Sequence, residues 1–101
     1  MKNEALLALL EESAEKLSIK LDYDDLRKGE VNTPGGTFLL RGERHILIHR
    51  YLSAGEKVDV LIGLLSGFDT EGVHLPPEVR ERLEAARESK KEAEKAARGR
   101  D

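Results

Sequence analysis

At 101 residues the chain is long enough for one hydrophobic core and too short for two. It has no cysteine, which removes disulfides, thiolate metal sites and cysteine nucleophiles, and its longest apolar run, VLIGLL at 60–65, is far short of the ~20 residues that span a bilayer. Charged residues make up 37% of the chain and the net charge of -3 is unevenly spread: residues 1–79 hold nine Lys and Arg against fourteen Asp and Glu, residues 80–101 eight against six, so an acidic body argues against nucleic acid as a partner.

Leu6, Leu7, Leu10, Ala14 and Leu17 recur at helical spacing with Glu11, Glu12, Glu15 and Lys16 between them, which predicts an amphipathic helix over 4–17. Its glutamates interrupt any stretch of signal-peptide kind, so no secretion signal is expected, and with no cysteine a soluble, cytoplasmic protein is. Ile19, Leu21 and Tyr23 then alternate with Lys20, Asp22 and Asp24, the period of a strand with one solvated face. Residues 27–36, RKGEVNTPGG, hold three glycines, a proline and an asparagine and predict a loop.

TFLLRGERHILIHRY, residues 37–51, has two apolar runs separated by Arg41, Gly42, Glu43 and Arg44, which predicts a β-hairpin. Ser53 and Glu56 are spaced as a capping box, each side chain in reach of the other's backbone amide, so a second helix starts there. Val58, Leu61, Ile62 and Leu65 form its stripe, Val60 and Leu64 widen it, and Gly67 is placed to stop it. Val73, His74 and Leu75 predict a short strand, and Pro77 suits the first turn of a third helix that buries Val79, Leu83 and Ala86. From Glu88 onward only alanines interrupt the charges, so packing is expected to end near residue 87. That divides the chain into a domain at 1–87 and a charged tail at 88–101, helical or frayed, in which Glu94 and Arg98 are spaced for an i,i+4 pair. The abundance of Glu, Arg and Lys resembles the composition of thermophile proteins.

The segment HILIH at 45–49 decides whether the chain has a metal site. On a helix, two histidines four apart sit one turn apart and share an ion, as zinc peptidases use them. On a strand their α-carbons are about 13 Å apart at ~3.3 Å per residue, and neither ring reaches the other's ion. The isoleucines and the hairpin glycine favour the strand, with His45, Leu47 and His49 on one face and Ile46 and Ile48 on the other. No metal or cofactor is therefore expected, and the His45, Leu47 and His49 face is the candidate interaction surface. Asp22, Asp24 and Asp25 fail as a calcium loop, because Leu26 and Arg27 stand where an oxygen ligand and a glycine are needed. Thr33, Pro34, Gly35 and Gly36 are not followed by the Lys and Ser/Thr of a phosphate loop, and neither Ser53 nor Ser66 sits in a nucleophile elbow.

The stretches AEKLSIKLDYDDL, PGGTFLLRGERHILIHRYLS and EKVDVLIGLLSGF, within residues 5–68, resemble the opening half of the ImmA/IrrE family of zinc peptidases. That likeness implies a helix, a strand, a glycine-bearing loop, a hairpin and a capped helix that carries HExxH. Here the capped helix has IGLLS (62–66) or GLLSG (63–67) instead, so no ligand and no general base carries over, and a lone downstream Glu78 or Glu81 does not make a zinc site. In other respects the chain resembles small bacterial proteins.

The expected fold is α+β: a three- or four-stranded, mainly antiparallel sheet covered by the first two helices, with the third helix at an edge. The expected function is a non-catalytic interaction module that pairs with a protein partner or with itself as a homodimer, through either the face bearing His45, Leu47 and His49 or the amphipathic start of the third helix. Two other readings are a metal-dependent hydrolase with a site drawn from His45 or His49, His74 and a carboxylate, and an RNA contact through the basic tail.

Overall fold

The computed structural model describes residues 2–27 and 33–98, the last two by backbone only. Three helices and three strands follow in the order α1 (Asn3–Lys16), β1 (Ile19–Asp24), β2 (Gly35–Leu40), β3 (Glu43–His49), α2 (Ala54–Leu65) and α3 (Pro77–Arg98), an α+β fold. No helix among the described residues is long and apolar enough to cross a membrane. The sheet order is β1-β3-β2, with β3 antiparallel to β2 and parallel to β1. The sheet is thus mixed, where a mainly antiparallel one was expected: β1 ends and β2 begins beside the C-terminal end of β3, on opposite sides of it, so β3 lies between them.

The period-2 patterns of the strands set the two faces. Ile19, Leu21 and Tyr23 share a face with Arg44, Ile46 and Ile48 through the pairings Ile19↔Arg44, Leu21↔Ile46 and Tyr23↔Ile48. Against that face lie α1, over β1, and α2, over β3 and β2. The core is the meeting of three stripes at the spacing the sequence predicts: Leu6, Leu10 and Ala14 from α1, Ile46 and Ile48 from β3, and Val58, Leu61 and Leu65 from α2, all buried. Helix α3 does not lie at a sheet edge. It packs on α1 and α2 with Val79 and Leu83 buried and touches no strand, which makes a third layer.

Two sharp turns need backbone on the left-handed side. The hairpin closes with two residues, Arg41 (φ 52) and Gly42 (φ 79), which is the type I′ geometry that matches strand twist. Glu43 and Arg44, expected in the turn, instead open β3 opposite Leu40 and Leu39. After α1, Ser18 takes φ 60 and its amide donates to the Glu15 carbonyl at 2.9 Å, ending the helix. Gly35 and Gly36, expected in the loop, are the first residues of β2. Gly35 has a packing reason: a Cβ there would meet the Leu47 carbonyl oxygen at 2.8 Å and Val60 Cγ1 at 3.1 Å.

The capping box of α2 forms as predicted: Ser53 Oγ accepts from the Glu56 amide at 3.2 Å and Glu56 Oε1 accepts from the Ser53 amide at 3.1 Å. Its other end is not closed by a left-handed Gly67. The Gly67 and Phe68 amides donate to the Leu64 and Leu65 carbonyls, Ser66 donates through its hydroxyl to the Gly63 carbonyl, and α3 adds side-chain donors: Arg87 to the Ser66 and Phe68 carbonyls, Lys90 to the Gly63 carbonyl. These two cations meet the negative end of the α2 dipole, which has no basic residue in its own last turn. Contact with the body thus runs past residue 87, and α3 stays helical to Arg98. The spacing of Glu94 to Arg98 falls on a side chain outside the described residues. Residues 73–75 do not form a strand. Leu75 is a buried plug, 3% exposed, and the Val73 carbonyl accepts from Arg80 Nη2 at 2.8 Å instead of joining a ladder.

Candidate interaction surface

All three helices lie on one side of the sheet, and among the described elements nothing packs on the other. That outer face is built from Lys20, Asp22 and Asp24 of β1, Glu43, His45, Leu47 and His49 of β3, and Gly36, Phe38 and Leu40 of β2. The strand reading of HILIH therefore holds. His45, Leu47 and His49 point the same way, but they do not behave alike.

His49 is closed off, 7% exposed. Its Nδ1 accepts from the Leu26 amide at 3.1 Å, and Asp25 Oδ1 lies 3.9 Å from the same nitrogen. The His49 amide donates to the Pro34 carbonyl and the Arg50 amide to the Asp24 carbonyl, so the end of β3 pins the chain on both sides of the crossing loop. The aspartates next to it shape the turn. Asp24 Oδ1 accepts from the Asp25 amide and Asp25 Oδ1 from the Arg27 amide; that last bond, more than any nearby charge, holds the Asp25 carboxyl below its usual range. His49 is a structural peg and drops out of the surface proposed from the sequence.

His45 is largely covered as well, its side chain 15% exposed against 9% for His49, but by different neighbours. Its ring stacks on Phe38 across the hairpin, centroids 4.8 Å apart and planes 6° from parallel, and its Nε2 lies 4.0 Å from Glu43 Oε2. Lys20 Nζ approaches the same carboxylate oxygen at 2.6 Å and is the main reason that Glu43 is held below its ordinary range. Lys20, Glu43, His45, Leu40 and Arg41 rim a shallow depression of about 290 Å³ at the hairpin end.

Beside it the surface turns apolar. Phe38 is 47% exposed, Leu39 70% and Leu40 52%. These residues were read from the sequence only as the first arm of a hairpin. The signal was there: a strand with one solvated face alternates, and β2 has no charged residue on either face. Its outer edge is open as well. The bond from the His49 amide to Pro34 sets the ladder phase, so Gly36, Phe38 and Leu40 turn their amides and carbonyls to β3 while Gly35, Thr37 and Leu39 turn theirs outward. The Thr33 hydroxyl occupies both groups of Gly35. Among the described residues no hydrogen bond reaches the outward groups of Thr37 and Leu39.

The remaining candidates for chemistry are less well placed. A groove of about 470 Å³ runs between α1 and β1, lined by Glu11, Glu15, Lys20, Asp22 and Tyr23. The Tyr23 hydroxyl is engaged as a donor to Glu11, and burial followed by that carboxylate pushes its pKa up, so it is no base at neutral pH. His74 lies in the segment that joins α2 to α3, both on the helical side of the sheet, whereas His45 and His49 face the other way. Among the described residues no three His, Asp or Glu side chains gather to hold a metal ion. In the register where HExxH would fall, Leu65 is fully buried and the Ser66 hydroxyl is bonded to Gly63.

No protein-family model matches the chain, and neither does any curated protein or solved structure.

Proposed function

We propose that the chain is a non-catalytic protein-interaction module of the cytoplasm, a metal-free relative of the ImmA/IrrE scaffold, and that it meets its partner through β2 and the outer sheet face. One observation carries this reading: an edge strand without charges presents Phe38, Leu39 and Leu40 to solvent beside unpaired backbone groups. Natural sheets usually blunt such an edge with Lys, Pro or a bulge, because an open one recruits other strands. Here the cost of exposing it is explained if a strand is meant to bind there. His45 and Leu47 extend the apolar stripe onto β3, and the Lys20 and Glu43 pair borders it.

Light scattering after size exclusion, run beside selection of random peptides on the purified chain, tests the reading. Self-association or selected peptides, either of them lost in the double variant Phe38→Ser, Leu40→Ser, supports it. A monomer at several hundred micromolar that selects no peptide, or binding unchanged in the double variant, refutes it.

A further inference from the structure

Resting on the reading of β2 as an association edge, we propose that its partner is a second copy of this chain, paired antiparallel through β2 about a two-fold axis at Phe38. The register follows from which backbone groups are open. A symmetric pairing centred on Thr37 needs the amide and carbonyl of Gly35, and the Thr33 hydroxyl already occupies both. One centred on Leu39 brings Arg41 into the ladder, and Arg41 is committed to the turn at φ 52. Centred on Phe38, Thr37 of each copy stands opposite the partner's Leu39, and the amide and carbonyl of both residues are satisfied together. The two sheets become one, six strands wide.

The side chains accept this register. Phe38 meets the partner's Phe38 in a non-hydrogen-bonded pair, the closer kind, and extends each Phe38–His45 stack into a row across the axis. Gly36 falls opposite the partner's Leu40, and a Cβ built on Gly36 finds nothing within 4 Å, which leaves room for that leucine. Charge separates the two edges. Pairing β1 with itself would bring Glu11, Glu15 and Asp22 of two copies together, whereas β2 brings no like charges to the axis. A two-fold contact also closes on itself and does not propagate into a fibre.

Area sets the strength. With Phe38, Leu39 and Leu40 exposed by 47%, 70% and 52%, pairing covers on the order of 300 Å² of side chain per copy, taking roughly 150–200 Å² for each when fully buried. Both copies together stay well under the ~1,200 Å² of a standard interface. The dimer is therefore weak, with a dissociation constant in the micromolar range or above.

The chain has no cysteine, so single-cysteine variants report the register directly. Phe38→Cys is expected to form a symmetric disulfide at several hundred micromolar, because the paired α-carbons are ~4.5 Å apart in such a pair and disulfides need about 4.4–6.8 Å. Thr37→Cys and Leu39→Cys, displaced along the strand by two residues from their own copies, are expected to cross-link at least about tenfold more slowly. Gly36→Cys and Leu40→Cys should link to each other in a mixture and not alone. Sedimentation velocity of the unaltered chain, which depends on no variant folding, should show a dimer that grows with concentration. Self-association with a cross-linking maximum elsewhere overturns the β2 pairing while leaving an interaction module. A chain that sediments as a monomer at every concentration and shows no preferred cross-link overturns the second copy as partner, and peptide selection then decides the broader reading by itself.

Discussion

Replacing Arg87 with alanine should be the most damaging single change outside the apolar core. Its guanidinium donates from Nε to the Ser66 carbonyl at 3.0 Å and from Nη2 to the Phe68 carbonyl at 2.9 Å, with the Thr70 hydroxyl at 3.2 Å. Ser66 and Thr70 are 6% and 2% exposed, so water replaces these bonds poorly once the side chain is gone. A hydrogen bond from a charged donor contributes ~1.5–3 kcal/mol, and a cation at a helix C-terminus about 0.3–1 kcal/mol. Counting one of the two carbonyl bonds at full value and allowing water to recover the other, the loss is about 2–4 kcal/mol. That is a large part of the ~5–15 kcal/mol that holds a domain together, and at ~4–8 °C per kcal/mol it lowers Tm by roughly 8–32 °C.

Urea unfolding followed by circular dichroism measures the loss as a shift in midpoint at constant slope. Arg87→Lys should recover less than half, because one ammonium cannot fork between the Ser66 and Phe68 carbonyls. Arg82→Ala is the control. Arg82 forms an exposed i,i+4 pair with Glu78 at 3.2 Å, and its loss should cost only ~0.3–0.5 kcal/mol. If Arg87→Ala lies within about 0.5 kcal/mol of the parent, a range typical of ordinary surface changes, the clamp on α2 contributes nothing and the reasoning is wrong.

Three further outcomes follow from local geometry. Ser18→Gly should raise stability by roughly 0.5–1 kcal/mol in calorimetry, since glycine takes φ 60 without the cost an L side chain carries there. Gly35→Ala should lose about 1–3 kcal/mol in chemical denaturation, because its Cβ meets the Leu47 carbonyl oxygen at 2.8 Å, while Gly36→Ala, with open space, stays within ~0.5 kcal/mol of the parent. Glu56 is held below its ordinary range first by the Ser53 backbone amide and then by the Ser53 side chain. Its stabilising effect is therefore present above the unfolded value near ~4.3 and disappears as pH falls through the lower folded value. Glu56→Gln should be less stable than the parent at neutral pH, and thermal melts of the two should converge in acid; a gap independent of pH would refute the assignment.

Periodicity made α1, β1, β3 and α2 readable because each buries one face at its own repeat: Leu6 and Leu10, Ile19, Ile46 and Ile48, Val58 and Leu61 are all in the core. The capping box is equally local, and so was legible at Ser53 and Glu56. What the sequence did not disclose depends on contacts between distant segments. Nothing in the alternation of β1 tells that its neighbour is β3, in parallel, and not β2. Arg87 stood at the expected limit of packing and Lys90 in the charged tail beyond it, and neither contact was legible because the carbonyls they bind are 19 to 27 residues away in sequence. His45 and His49 were legible as a pair on one face, but that one stacks on Phe38 and the other takes the Leu26 amide depends on contacts across the fold.

Amide hydrogen exchange at Thr37 and Leu39, followed as protein concentration rises, tests most directly whether β2 is where the chain associates. Their amides point away from β3 and should exchange quickly in dilute solution, then become protected as copies pair, with little change at Phe38, whose amide is already in the hairpin ladder. If Thr37 and Leu39 keep the same exchange rate at every concentration while another surface gains protection, the open edge is not the site of association.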